Sequence, residues 1–367
     1  MAPLRAAEAA TTLLRSRRQP SCPLCGELGA PLHSGLRDRL LDRPEAWSLV
    51  RCEHTACGLL WLDPQPLSED ITLAYGDSYP SHVVLTPPPS LVRRFYSRVE
   101  RGYFADAFGY DGPEVRSWQR LAGHALGGLP LRRAACDFQV AHLSALSGGR
   151  LLDVGCGRGD GLLLLRRLGW SAEGVDFDPS AVDAARTRGL EVRCGTVEAQ
   201  RYAAASFDAI VLSHVIEHLF DPLQLLRECA RILKPGGRLV VVTPNTASLF
   251  HARFGASWFH LDPPRHIMLF HAPPLRQVVE AAGLTIERLT TSLRSAWLNW
   301  ILSRRIQREG VADLYRPPSN RERMEGYLSV LAKRIGTTDS GEELVLLARK
   351  PPPSEDDPRM EAPAQSR

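Results

Sequence analysis

From Arg150 onward the chain alternates short apolar runs with amphipathic stretches of helical spacing. "RLLDVG" reads as a strand, "GLLLLRRLG" as a helix closed by Gly169, and "SAEGVDF" as a second strand. "DPSAVDAARTRG" is a helix with an Asp-Pro start and a glycine stop. The strands "EVRCG" and "FDAIVLS" follow, then the helix "DPLQLLRECARIL" and the strand "GRLVVVTPN". A helix at 273–282 leads to the strands "LTIERLTTS" and "EELVLLARK". Strands separated by helices predict right-handed crossovers and a mostly parallel, seven-stranded α/β sheet with helices on both faces.

The rest of the chain is less regular. Residues 1–20 and 351–367 are expected to be disordered tails, and 21–66 a small cysteine module. Residues 67–147 carry Leu, Ala and Arg at helical spacing, as a linker or cap, with a Pro-rich break at 86–94. The sheet domain is expected over 148–350, with an insertion at 295–340. Of the 367 residues 44% are hydrophobic and 23% charged, the composition of a soluble globular protein. A net charge of +4 argues against nucleic acid as a partner. No apolar run approaches the ~18 residues of a membrane span, and the N-terminus lacks the apolar core of a signal peptide. Half of the eight cysteines lie in two close pairs near the N-terminus, which fits a reducing, cytoplasmic protein better than a secreted disulfide framework.

In "LLDVGCGRGDG" the glycines are Gly155, Gly157, Gly159 and Gly161, after Asp153. A dinucleotide loop would need its third glycine where this chain has Asp160, and that carboxylate would repel a pyrophosphate. Asp176 ends the next strand, 23 residues after Asp153, and is placed to accept ribose hydroxyls. Together with "FDAIV" and "LKPGGRL", this order resembles the class I S-adenosylmethionine-dependent methyltransferases, with a Rossmann-like fold, over roughly 150–350. The resemblance implies that Asp153, Gly155 and Gly157 hold the methionine end of the cofactor and Asp176 the ribose. Where the family often has an Asp at the adenine amino group, this chain has Thr196, with Val197 or Glu198 as substitutes. Phe177 and Ser213 complete the expected cofactor set. The implied reaction is an in-line methyl transfer to a small-molecule acceptor, with a sugar or related hydroxyl preferred. C- or N-methylation is the alternative, as is a zinc-ribbon binding protein on an inactive fold.

Three further clusters carry candidate chemistry. "SHVIEHLFDP" places His214, Glu217 and His218 at i, i+3 and i+4, on one face if helical. They are candidates for a base, a divalent-cation site or a hydrogen-bonded helix start. The stretch resembles a Glu-x-x-Glu-His segment that ubiquinone-pathway O-methyltransferases link to a divalent metal. "CPLCG" and "CEHTACG" read as paired knuckles of a zinc-ribbon-like site through Cys22, Cys25, Cys52 and Cys57, with His54 as an alternative ligand. Such a module ahead of this domain resembles methyltransferases of sugar-nucleotide and surface-polysaccharide pathways. Finally, the loop at 243–271 suits a lid over the acceptor. In it His266 or His260 is a candidate base, and Arg265 a candidate partner for an acidic group such as a phosphate. The segment 297–308 is expected to be a cap helix over the substrate, with contact to a membrane surface as the other option.

Overall fold

Strands β1 (Ser16–Arg17), β2 (Gly29–Arg37), β3 (Ala46–Cys52), β4 (Leu60–Leu62) and β5 (Gln65–Pro66) open the fold. The structure is a computed structural model that describes residues 13–41, 43–75, 90–112, 114–333 and 340–352. The expected tails over 1–12 and 353–367, and residues 86–89 of the Pro-rich break, lie outside the described residues. β1 pairs with β5 antiparallel, so regular structure begins ahead of the first cysteine. Helices α1 (Leu91–Phe108), α2 (Ser117–Gly127) and α3 (Pro130–Gln139) follow.

The α/β sequence then runs β6 (Arg150–Val154), α4 (Asp160–Arg167), β7 (Ser171–Asp176), α5 (Pro179–Arg186), β8 (Val192–Cys194), β9 (Phe207–Ser213), α6 (Pro222–Ile232) and β10 (Leu233–Pro244). After it come α7 (Leu249–Phe254), β11 (Met268–Leu269), α8 (Ala272–Ala281), β12 (Thr285–Ser292), α9 (Ala296–Glu309), α10 (Asn320–Lys333) and β13 (Glu343–Arg349). Local signals set several boundaries. The Asp178 and Asp221 side chains accept from the backbone N–H groups of Ser180 and Gln224, each ahead of a proline in the first turn.

Seven strands form one sheet in the order β12-β13-β10-β9-β6-β7-β8. The β10-β9-β6-β7-β8 core is parallel, and β13 runs antiparallel to both β10 and β12. Alternate residues feed two cores. Leu152, Ile210, Leu239 and Leu346 lie in one, and Leu151, Val211, Val240 and Leu347 in the other. A strand covered on both faces reads as a continuous apolar run, which is why "FDAIVLS" and "RLVVV" show no polar alternation. The chain crosses from the β8 side to the β9 side beside β6, so the switch point that favours ligand binding lies beyond the carboxyl end of β6.

The cysteine module does not stand apart from this sheet. Cys22, Cys52, Cys57 and Trp61 share a core with Ile210 and Val241. Its own sheet has the order β11-β4-β3-β2, and β11 comes from the loop after β10. A buried ion cluster closes the same junction. Arg265 is fully buried and donates to both carboxylate oxygens of Asp38 (2.9 and 2.7 Å) and of Asp262 (3.0 and 2.6 Å). Its Nη1 also donates to the Ala74 carbonyl at 2.8 Å. Helix α9 buries Trp300, Ile301, Leu302 and Ile306, so "WLNWILSRRIQR" is a packed cap and its apolar face is not available to a membrane surface. No described helix is long and apolar enough to cross a membrane.

Removing one partner of a buried ion cluster strands the remaining charge. Asp38→Ala is therefore expected to lower the unfolding free energy by about 3–5 kcal/mol, measured by urea denaturation.

Candidate active site and cysteine centre

The turn after β6 is built for close approach. Gly155 has φ +68°, and a Cβ there would meet Val215 Cγ2 at 2.5 Å. Gly157 has φ +53°, and a Cβ there would face open space. Both need the left-handed region, and Gly157 leaves its backbone bare for a ligand. Asp176 is held against this turn, accepting from Gly157 N at 2.7 Å and Asp178 N at 2.9 Å. Burial, and then the charge of Asp176, pushes the Asp153 carboxyl up to about 7. Two acidic side chains crowded in this way suit a positively charged ligand, such as a sulfonium with an α-amino group.

The rest of the expected cofactor set lies at the same edge. Phe177 follows β7 and is 47% exposed. After β8, Gly195 N donates to the Asp176 carbonyl at 2.9 Å, which ties the two strand ends together. Val197 is buried, Glu198 opens a 3₁₀ turn, and Thr196 Oγ1 accepts from Ala199 N. Gln200, which sequence reasoning missed, braces this loop through the carbonyls of Cys194 and Thr196. Ser213 closes β9.

His214, Glu217 and His218 do not share a helical face. Only Ile216–His218 forms a 3₁₀ turn, and His214 stands ahead of it with φ +55°, a conformation costly for a non-glycine residue. The His214 ring is directed to two carboxylates: Nδ1 lies 3.2 Å from Glu217 Oε1 and Nε2 3.2 Å from Glu343 Oε1. Burial opposes its charge, but those two carboxylates prevail and raise it to about 9. Glu217, fully buried, is held down to about 2 by His214 against the cost of burial, and it also accepts from Thr243 Oγ1 at 2.9 Å. Arg294 completes this chain of charges on Glu343. The Arg294 guanidinium also reaches His214 Nε2 at 3.2 Å, so both ring nitrogens of His214 are already engaged by charged neighbours.

His218 is the opposite case. Burial, then the charge of His266, lowers it to about 4. Its Nδ1 lies 3.0 Å from the Arg265 carbonyl, which can only accept, so the proton sits on Nδ1 and Nε2 is bare. His266 Nδ1 likewise lies 2.7 Å from a carbonyl, that of His260, and the two rings meet edge to face at 4.7 Å. Tyr75, absent from the sequence reading, joins this pair to the cofactor edge. Its hydroxyl is 3.1 Å from His218 Nδ1 and its ring 5.1 Å from that of Phe177. His260 is engaged elsewhere, its Nε2 accepting from Asn299 at 2.7 Å. Arg265, expected to meet a phosphate, is fully buried against Asp38 and Asp262.

The cation set read from sequence changes its membership. Glu217, His218 and His266 each offer a ligand atom within 4.8 Å of the others, and His214 is not part of that group. A lid residue thus takes the place expected for a neighbour in sequence. Nδ1–H groups donating to backbone carbonyls are the usual support for ligating imidazoles, so these residues fit a divalent cation.

The cysteines come together as expected. Cys22, Cys25, Cys52 and Cys57 converge within 4.8 Å, whereas His54 is exposed and outside the group. Sγ separations of 3.8 Å for Cys22–Cys57 and 3.3 Å for Cys25–Cys52 compare with the ~3.8 Å edge of a tetrahedron of 2.3 Å zinc–sulfur bonds. Burial and the neighbouring thiols push Cys52 up to about 11, a state that a cation would reverse. Four protein thiolates fit zinc in a closed, structural site.

A family model described as "Methyltransferase domain" matches residues 131–289. The ubiquinone biosynthesis O-methyltransferase of Xanthomonas oryzae pv. oryzae (strain PXO99A) is 36% identical over 189 residues, 48% of this chain and 77% of that protein. That of Xanthomonas axonopodis pv. citri (strain 306) is 33% identical over the same shares. Among solved structures, a SAM-dependent methyltransferase from Archaeoglobus fulgidus aligns with 64% of this chain and 100% of its own, at 21% identity and a TM-score of 0.42. The chain belongs to the S-adenosylmethionine-dependent methyltransferases and is an enzyme of that class.

Protein purified under reducing conditions is expected to carry one zinc ion per chain by elemental analysis, and Cys52→Ser to lose it. A second expectation concerns alkaline stability. His214 holds its proton to about 9, against an ordinary value of 6.5. Its contribution is complete below pH 6.5 and is lost as the pH rises through about 9. Urea midpoints measured from pH 6 to 10 should therefore fall with pH, and His214→Gln should flatten that slope.

Proposed function

We propose that the chain methylates a hydroxyl oxygen of a small-molecule acceptor, with His218 as the base and His266 beside it. The observation that carries this reading is the hydrogen bond that holds Nδ1 of His218 and of His266 to a backbone carbonyl, which commits that ring nitrogen and leaves Nε2 for the site. Bound S-adenosylmethionine supplies a methyl group already activated on sulfonium. The chain's own residues have the remaining tasks of alignment, proton removal and exclusion of water. Asp176 and the Gly155–Gly157 turn are assigned to the cofactor's ribose and methionine ends, with Asp153 supplying negative charge. Phe177, Thr196, Val197 and Ser213 line the adenosyl side. The lid over 243–271 covers the acceptor.

Relatives named for O-methyl transfer support oxygen as the accepting atom. A sugar or related hydroxyl remains the acceptor favoured by the cysteine module ahead of the methyltransferase domain. Arg265 gives a nucleotide phosphate no anchor, because its donors are already used by Asp38, Asp262 and Ala74. A second reading rests on the clustering of Glu217, His218 and His266. A divalent cation held there would lower the pKa of an acceptor hydroxyl, and the two imidazoles would then act as ligands.

Calorimetric titration with S-adenosylhomocysteine is expected to show micromolar-range binding that Asp176→Ala abolishes. With labelled donor and an acceptor panel, His218→Asn is expected to lower kcat about 10²–10⁴-fold and leave cofactor binding intact. Loss of activity in chelator, restored by a divalent cation at unchanged zinc content, would favour the cation reading. Absence of cofactor binding by folded, zinc-loaded protein would overturn the proposal.

A further inference from the structure

The first turns of α1 leave large apolar side chains in solvent. Leu91, Val92 and Phe95 are 81%, 78% and 57% exposed. On the neighbouring helix, Trp118 stacks on Phe95 with ring centroids 5.8 Å apart, and Leu121, one turn further on, is 75% exposed. Phe95 and Trp118 thus join the two helix ends into one patch. Scattered exposed leucines are ordinary, but a contiguous patch with two aromatic rings marks a contact surface.

The charge around the patch identifies what it fits. Arg93, Arg94 and Arg98 lie on the same stretch of α1, and Arg116 caps the start of α2. All four are exposed, and none makes an ion pair among the described residues. Of the acids close by, Asp111 and Glu114 are engaged by Arg120 and Arg101, while half-buried Glu100 accepts from Gln139 and feels the charge of Arg93. From Leu91 to Arg98 the helix has three arginines and no acid. Aliphatic and aromatic side chains bordered by long cations are what an interfacial helix presents to lipid headgroups, with the rings at headgroup depth and the guanidiniums on phosphate.

We propose that the α1–α2 end is a docking surface for an anionic membrane, a reading that does not depend on the acceptor assigned above. Other occupants fit less well. A second copy placed face to face would bring two sets of unpaired arginines together. A nucleic acid would find cations but, in Leu91, Val92 and Leu121, side chains with no stacking face. The buried α9 supplies no such surface, so membrane contact moves from the segment expected in the sequence to one whose apolar positions only the tertiary structure leaves uncovered.

The test is co-sedimentation of the full, zinc-loaded chain with vesicles of phosphatidylcholine alone and of phosphatidylcholine with phosphatidylglycerol. Binding is expected only with the anionic vesicles and should weaken as salt rises. Each of Arg93→Glu and Arg94→Glu should lower partitioning about five-fold or more, and the double variant Leu91→Glu/Phe95→Glu should abolish it. Calorimetry with S-adenosylhomocysteine reports whether each variant remains folded. Absence of anionic-vesicle binding by the intact chain would overturn the proposal. So would unchanged binding by folded Leu91→Glu/Phe95→Glu, or a dimer in light scattering that this variant dissociates without any vesicle binding.

Discussion

The geometry of the candidate site depends on one buried cation. Arg265 joins Asp38 at the end of β2, the Ala74 carbonyl beyond β5, and Asp262 in the loop after β10. An arginine taken out of water is tolerable only when its donors are used and its charge is met, and here two carboxylates and a carbonyl do both. The carbonyl of the same residue accepts from His218, and the next residue is His266. The cluster therefore determines where the lid's imidazole stands relative to the turn after β9. β11 reinforces the junction by adding a lid strand to the cysteine module's sheet. In the described structure, the module serves as the foundation of the lid.

Above that foundation the buried histidines are divided by what surrounds them. His214 lies between two carboxylates that raise it to about 9 against the cost of burial, whereas burial and then the charge of His266 lower His218 to about 4. The same side chain is pushed in opposite directions at two positions a few residues apart. Glu217 ties His214 to the lid, hydrogen-bonding His214 through its carboxylate and receiving Ile267 N on its backbone carbonyl at 2.8 Å. With its backbone left-handed, His214 has its ring against Glu343, the first residue of β13. That is strain at the point where the site's charges are sorted.

Much of the cofactor side was readable from residue order because it is local. Asp153, the glycine turn and Asp176 belong to consecutive strand–turn–helix units, and a parallel sheet brings consecutive strand ends to one edge. The cysteine set was readable for a similar reason, since short Cys-x-x-Cys spacing limits the directions in which the thiols can point. The reading of His214, Glu217 and His218 went astray because it assumed helical geometry where the chain makes a 3₁₀ turn after a left-handed residue. Tyr75 gave no signal at all, lying far from His218 in sequence.

By itself the sequence determined the order of strands and helices, the glycine turn with its two acids, and the four-cysteine set. These follow from periodicity, turn chemistry and short spacings, which act over a few residues. The tertiary structure alone decided that His266 and not His214 completes the cluster around Glu217. It also decided that Arg265 is a buried tie and not a surface anion binder, that α9 is covered, and that Leu91, Val92 and Phe95 are not. Each of those outcomes depends on burial against, or exposure beside, elements distant along the chain. Burial sets both the cost of a charge and the partner it must find.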